Sequence, residues 1–524
     1  MKESIKQLWE KHPLALIMLS AIFIRLVAVI FSKGFGFHDD HFLVIEPAQS
    51  WIEGYDYNNW LPKNSGKGYV PEGPSLFYPG LHYVILQCFR WMGITDPQTK
   101  MYLIRALHAL YSLIIVVYGY KIAKQCAGEK VAKQVGLLLA VYWFLPMMSV
   151  RNLVEMVCIP PLMIATWLMI NPESNQKART YFWVGVLCAI ACNVRFQSAL
   201  FVGGIGLVML FSRKWKYTLL ISLGFILVFS LFQGGMDMII WHHPFAEFTE
   251  YIQYNIANAT NYIIGPWYNY ILLVGGMLLP PIGLFFLFGF VRSWKKYPLL
   301  FWPSFIFFAF HSFFPNKQER FILPVVPFVI VLGCIGWHEF VATSKYWENH
   351  KKLLKGCWTF FWVINLILLP FISTTYTKKN RVEAMTYLGH QKDLQGLMIE
   401  ETIHDDCIQP AHFYIGRFNV NIINVNAQHS LYHAYELYKN DPDRQRHPNY
   451  VVFFGKEKIE QRVAYFKQMY PNATCETIIE PSFIDKVMTF LNPVNKNQTT
   501  YIYKFDDRIV QMPADTNAKA ALGH

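Results

Sequence analysis

LALIMLSAIFIRLVAVIF (residues 14–31) and the Phe37-His38-Asp39-Asp40-His41-Phe42 that closely follows it decide how this chain is read. The first stretch is long enough to cross a hydrocarbon core of about 30 Å as a helix. It lacks a small-residue cleavage pattern before the acids, so it reads as a retained helix and not a removed signal peptide. The paired carboxylates then fall at one membrane face, just past a helix end. Charge at that depth is costly and is kept for a task or a partner. The doublet therefore points to chemistry at a membrane surface.

The rest of the chain agrees. Of its 524 residues, 53% are hydrophobic and only 16% charged, with a mean hydropathy of +0.22. Soluble domains carry about 25% charge. The net charge of +12 is no argument for nucleic acid, because the basic residues cluster in short loops between apolar runs. Expected spans are 14–31, 102–120, 134–149, 153–170, 181–194, 198–211, 217–233, 269–291, 298–314, 321–337 and 356–375. That predicts an all-α polytopic membrane protein of about eleven transmembrane helices. Lys121, Lys124, Lys130, Lys133, Lys177, Arg179, Arg213, Lys214, Arg292, Lys295, Lys351 and Lys352 fall on alternate loops, which are therefore cytoplasmic. The opposite face receives the first loop (32–101), the second long loop (234–268), the turns at 151–155, 195 and 315–320, and everything after 375.

Residues 1–375 thus read as a transmembrane domain, in which any catalysis is expected to reside. Residues 376–505 read as a small extracytoplasmic α/β domain, with a strand at Val451–Gly455 and a helix over Lys456–Tyr470. Residues 506–524 read as a flexible tail. Of nine cysteines, Cys158, Cys188, Cys192 and Cys334 lie in apolar runs as packing residues. Cys407 and Cys475 would be able to pair if their domain is extracytoplasmic.

Asp39 and Asp40 do not share a helix face, so they divide the work. One carboxylate can take a proton from an attacking hydroxyl and the other can orient it or hold a substrate hydroxyl; solvated acids ending a helix are the alternative. His38 and His41 flank them without the spacing of a metal site. Lys317, Glu319 and Arg320 lie between two apolar runs on the same face. Arg offers a planar fork to a phosphate and Lys a point charge, whereas a snorkelling loop with a local Glu–Arg pair is the bland reading. Arg151, Asn152 and Glu155, then Arg195 and Gln197, end spans on that side. Arg25, inside the first span, reads as a helix-packing partner.

These motifs resemble glycosyltransferase family 22, the polyprenyl-phosphate-mannose-dependent mannosyltransferases of the GT-C fold. The resemblance rests on Asp39-Asp40-His41-Phe42 with Glu46-Pro47-Ala48 and on Ser75-Leu76-Phe77-Tyr78-Pro79. It continues through Arg151-Asn152-Leu153-Val154-Glu155, then Tyr254-Asn255 with Gly265-Pro266-Trp267-Tyr268-Asn269-Tyr270. It ends, most specifically, at Asn316-Lys317-Gln318-Glu319-Arg320-Phe321-Ile322-Leu323-Pro324-Val325-Val326-Pro327. Asp40 stands where the family has Glu, Asn316 where it has His, and Gln318 where it has Glu.

The resemblance implies an inverting transferase that moves a sugar, expected to be mannose, from a polyprenyl-phosphate donor to a hydroxyl of a glycolipid or glycan acceptor. Asp39 would be the general base, with Asp40 beside it. Lys317, Arg320 and Arg195 would hold the departing phosphate. Glu319, Glu46, Tyr78, Glu155, Asn255, Trp267 and Tyr268 would contact sugar or acceptor. No metal and no cofactor are expected. Its partners would be the lipid-linked donor, the acceptor and the bilayer.

A same-fold enzyme moving aminoarabinose or glycosylating protein hydroxyls is the nearest rival, and a lipid-linked-sugar flippase a more distant one. Sequons at Asn258, Asn472 and Asn497 fit the outer side. A bacterial inner membrane is the expected location, with the endoplasmic reticulum the alternative.

Overall fold

The computed structural model describes residues 5–62, 69–71, 73–491 and 498–511. The chain divides into two compact units. One comprises Met1–Ser32, Asn58–His82 and Tyr102–Thr374; the other comprises Lys33–Tyr57, Tyr83–Met101 and Thr375–His524.

In the first unit every expected span contains helix. Five helices are long and apolar enough to cross a membrane: Pro13–Phe31, Pro97–Ala127, Trp215–Ile240, Glu319–Thr343 and Lys351–Ser373. Shorter apolar helices are Val154–Ile170, Ala178–Val194, Ser198–Phe211, Ile282–Arg292 and Pro298–Phe313. Two expected spans differ from the sequence reading. The run 269–291 is split into Asn269–Met277 and Ile282–Arg292, because Pro280 and Pro281 supply no N–H and Leu279 takes a φ of +60°. The run 134–149 ends as Glu129–Val141 and resumes as the short turn Leu145–Met148, where Pro146 enters.

Helices Ala178–Val194 and Trp215–Phe229 touch backbone to backbone. A Cβ on Gly185 would lie 2.0 Å from the Ile221 carbonyl oxygen, and one on Gly224 2.2 Å from that of Phe182. Arg25 packs the first span as expected, donating from Nε to Ser112 Oγ (2.8 Å) and from Nη1 to the Ala140 carbonyl (3.0 Å). Glu319–Thr343 has 89% of its apolar window buried, against 22% for Trp215–Ile240 and for Lys351–Ser373. Of these five, the helix that begins in the Lys-Arg signature is therefore the most deeply packed.

The second unit carries a mixed five-stranded sheet. Its strands are β1 Gly396–Glu401, β2 Ile422–Asn426, β3 Pro448–Phe454, β4 Thr474–Ile479 and β5 Thr500–Lys504, in the order β2-β1-β3-β5-β4. β1 lies parallel to β2 and β3, while β5 runs antiparallel to β3 and β4. β1 is buried throughout, which explains its continuous Leu397-Met398-Ile399 run. Helices Leu431–Tyr438 and Ile459–Met469 cover one face through Ala434, Tyr438, Phe466 and Met469. Arg462 and Glu400 form a fully buried pair at 2.8 Å, and Arg462 Nη1 also donates to the Phe454 carbonyl at 2.9 Å.

The unit recruits part of the first loop, which the sequence had grouped with the spans. Thr377 donates from its N–H to the Lys33 carbonyl (3.2 Å) and from Oγ1 to that of Phe35 (2.8 Å). Gly34 makes this possible: its φ is +75°, and a Cβ there would lie 1.9 Å from the Thr377 carbonyl oxygen. Cys407 and Cys475 are both free thiols. Cys407 Sγ points at the β1 and β2 carbonyls of Ile399 and Val425, whereas Cys475 lies on β4 at the far sheet edge. Of the expected tail, residues 506–511 are described and contain an Arg508–Asp506 pair. Residues 512–524 and the Asn497 sequon lie outside the described residues.

Candidate active site

The acid doublet sits in the second unit, on the short helix Asp39–Phe42. Its two carboxylates are in different states. Asp40 is 3% exposed, and its oxygens accept the backbone N–H of Gly36 (2.9 Å) and of Phe37 (3.2 Å). Asp39 is only half-buried. Glu46 is fully buried; its carboxylate faces His41 Nε2 at 3.0 Å and accepts the Phe413 N–H at 3.0 and 2.8 Å. It fastens the acid-bearing segment to the 412–415 turn. The rings of Phe35 and Tyr414 stack on His41, at 4.7 and 5.4 Å between centroids. Arg381 is buried beside Phe35 and Phe42, with its guanidinium carbon 5.3 and 5.4 Å from their ring centres.

The basic residues gather in the first unit. Arg195 ends helix Ala178–Val194, Glu155 lies on the turn Val154–Val157, and Arg320 lies on the 3-10 helix Glu319–Val325. Arg195 Nη1 pairs with Glu155 Oε1, and Arg320 Nε lies 3.9 Å from the same oxygen. Both guanidiniums flank the Phe321 ring, at 5.3 and 5.5 Å. Arg320 also donates from Nε (3.0 Å) and Nη2 (2.7 Å) to Gln318 Oε1. Arg195 Nε and Nη2 and Glu155 Oε2 are buried with no hydrogen-bond partner among the described residues. A buried guanidinium with two idle N–H groups is costly unless an anion completes it.

Lys317 is buried next door. Its N–H donates to the Ile263 carbonyl at 2.8 Å, and its Nζ donates to the carbonyls of His311 (3.0 Å) and Phe314. Burial holds the Lys317 pKa below its ordinary value. The ammonium lies 5.5 Å from the Tyr270 ring centre, and the Tyr270 hydroxyl donates to the Gln318 carbonyl at 2.9 Å. Lys317 is thus clamped between the two long-range turns, 263–270 and 314–318.

The remaining expected residues differ in exposure and partners. Glu319 is exposed. Tyr78 is buried, and its hydroxyl lies 2.7 Å from His108 Nε2. His108 Nδ1 is bonded to the Ile104 carbonyl, so Nδ1 carries the proton and Tyr78 donates to Nε2. Asn255 Nδ2 donates to the Tyr251 carbonyl one turn back. Trp267 and Tyr268 are exposed, Trp267 stacked on Phe313.

The sequence reading missed Tyr251, Gln233, Asp237 and Glu247, which the first unit draws together with these residues. An acid in an apolar run, Asp237, was the available signal. Among the described residues no three His, Cys, Asp or Glu side chains converge as a metal site requires.

The fold matches a known class. ArnT from Cupriavidus metallidurans in the apo state superposes with a TM-score of 0.58 over 89% of this chain and 96% of that one, at 13% identity. The same enzyme bound to undecaprenyl phosphate gives 0.57 over 93% and 97%, at 10% identity. The chain thus has the GT-C fold of membrane glycosyltransferases. More narrowly, residues 16–416 match the Alg9-like mannosyltransferase family, and the chain belongs to it. Similar proteins include GPI mannosyltransferase 3 of Debaryomyces hansenii, 22% identical over 74% of this chain and 70% of the relative. Mannosyltransferase APTG1 of Arabidopsis thaliana is 24% identical over 60% of this chain, which spans only 57% of that relative. GPI alpha-1,2-mannosyltransferase 3 of Mus musculus is 22% identical over 67% and 62%.

Proposed function

We propose that this chain is an inverting transferase that moves mannose from a polyprenyl-phosphate carrier to a hydroxyl of a glycolipid or glycan acceptor. The observation that carries the reading is Arg195: a buried guanidinium with two idle N–H nitrogens, beside Arg320 and one carboxylate. Two guanidiniums share the single Glu155 carboxylate, and a phosphate presents oxygens to the idle side of the Arg195 fork. Family membership favours mannose, and a protein of the same fold has been crystallised with undecaprenyl phosphate.

In this scheme the acceptor oxygen attacks the anomeric carbon while Asp39 takes its proton. The bond from that carbon to the phosphate oxygen breaks, and polyprenyl phosphate leaves with the electron pair. Arg195, Arg320 and Lys317 neutralise the charge that develops there. Asp40 serves differently: with both oxygens on Gly36 and Phe37 amides, it shapes the turn that presents Asp39. Glu46, tied to the Phe413 amide, holds the same segment. Protein cations suffice, so no metal enters the scheme.

The test is transfer from radiolabelled polyprenyl-phosphate-mannose to a panel of glycolipid acceptors by the purified chain in lipid nanodiscs. Asp39→Asn should abolish transfer while the protein keeps its unfolding temperature. Undiminished turnover by Asp39→Asn removes the base assignment. Loss of activity with a chelator, restored by a divalent cation, overturns the metal-free scheme.

A further inference from the structure

Of the family signature, helix Ala246–Ala257 carries only Tyr254 and Asn255, yet another of its residues reaches the Arg195 turn. Its Tyr251 hydroxyl accepts a hydrogen bond from Gln197 Nε2, two residues beyond Arg195. The Tyr251 ring lies edge-on to Phe196 at 5.3 Å. The charges of Arg195, Glu155 and Arg320 all act on its hydroxyl. A phenol that accepts from an amide still has its own hydrogen to give. Burial pushes its pKa up to about 12, with the two arginines opposing, so it stays a neutral donor at any physiological pH.

The helix is fixed in place from its first turn. Glu247 is 1% exposed. Its Oε2 accepts the Leu76 N–H (3.0 Å) and Gln233 Nε2 (2.7 Å), and its Oε1 accepts Trp241 Nε1 (3.0 Å). Asp237 accepts the Glu247 N–H at 3.1 Å and Gln233 Nε2 at 2.8 Å, and Ser75 Oγ donates to Gln233 Oε1 at 3.0 Å. Glu247 lies one turn before Tyr251, so this network sets the axial position and rotation of the helix that presents the phenol.

We propose that Tyr251 is a further ligand of the donor phosphate, giving it a neutral O–H beside the charged forks of Arg195 and Arg320. Glu247 is its positioning residue. The inference rests on the phosphate-site reading above. A neutral donor adds affinity without adding charge, so product release need not overcome a fourth cation.

The probe is polyprenyl phosphate itself, titrated into the full-length protein in nanodiscs. Tyr251→Phe keeps the ring on Phe196 and should bind roughly tenfold more weakly, as expected for one hydrogen bond to a charged group, with an unfolding temperature lowered only by loss of the Gln197 hydrogen bond. Glu247→Gln should also weaken binding, and by less in the Tyr251→Phe background than in wild type, because both changes act through one hydroxyl. Wild-type affinity in Tyr251→Phe, while Arg195→Met/Glu155→Gln loses binding, overturns the Tyr251 assignment alone. Wild-type affinity in Arg195→Met/Glu155→Gln overturns the phosphate site on which it stands. Equal Glu247→Gln losses in the two backgrounds overturn the positioning role.

Discussion

The most demanding prediction concerns the Arg195–Glu155 pair. Removing Arg195 alone leaves the Glu155 carboxylate buried with Arg320 Nε at 3.9 Å, and breaking a buried pair costs about 3–5 kcal/mol. A loss of activity would then be ambiguous. The double variant Arg195→Met/Glu155→Gln removes both charges with similar volume, an exchange that is often neutral or stabilising. Arg195 should favour it further, since two of its nitrogens are buried with no partner. Binding should respond in the opposite way. Two charge-assisted hydrogen bonds to phosphate, each contributing roughly 1.5–3 kcal/mol, disappear. At about 1.4 kcal/mol per decade, affinity falls by roughly two to four orders of magnitude. The assay pairs thermal unfolding in nanodiscs with calorimetric titration of polyprenyl phosphate. A double variant that unfolds at the wild-type temperature and binds within twofold of wild type refutes the anion-site argument.

Other outcomes follow from the same geometry. Asp40→Asn replaces one of two acceptor oxygens, so either Gly36 or Phe37 loses its partner; transfer should fall through local misplacement of Asp39, with a cost of about 1–3 kcal/mol. Glu247, raised from 4.5 to about 7 by burial and by Asp237, binds its proton more tightly folded than unfolded. Its contribution is therefore full below pH 4.5 and fades as pH rises towards 7. Unfolding temperatures measured from pH 4.5 to 8 should show that decline in wild type and a flatter profile in Glu247→Gln. Arg462→Ala strands Glu400 at zero exposure and should destabilise the sheet-bearing unit by about 3–5 kcal/mol, seen as early proteolysis of that unit.

The local part of this fold was legible. Apolar runs located helical segments in every expected span, because helix formation in lipid depends largely on neighbours along the chain. Asp39-Asp40 and Lys317–Arg320 stood out for a similar reason: charge beside apolar runs is rare enough to be noticed in one sequence. The break at Leu278–Pro281 was visible only as two prolines, and its effect on the span needed backbone geometry.

What only the tertiary structure decided are contacts between residues far apart in the chain. Thr377 bonds to Lys33 and Phe35, which puts the acid-bearing segment in the same unit as the sheet. Identical neighbours in sequence, Asp39 and Asp40, become a half-buried carboxylate and a backbone cap. Glu155, Arg195, Tyr251 and Arg320 come from four elements and gather in the first unit. Hydropathy ranks residues by their own chemistry and that of adjacent positions. Whether a guanidinium is satisfied depends on which distant donors and acceptors packing brings within about 3 Å, and no pattern along the chain encodes that.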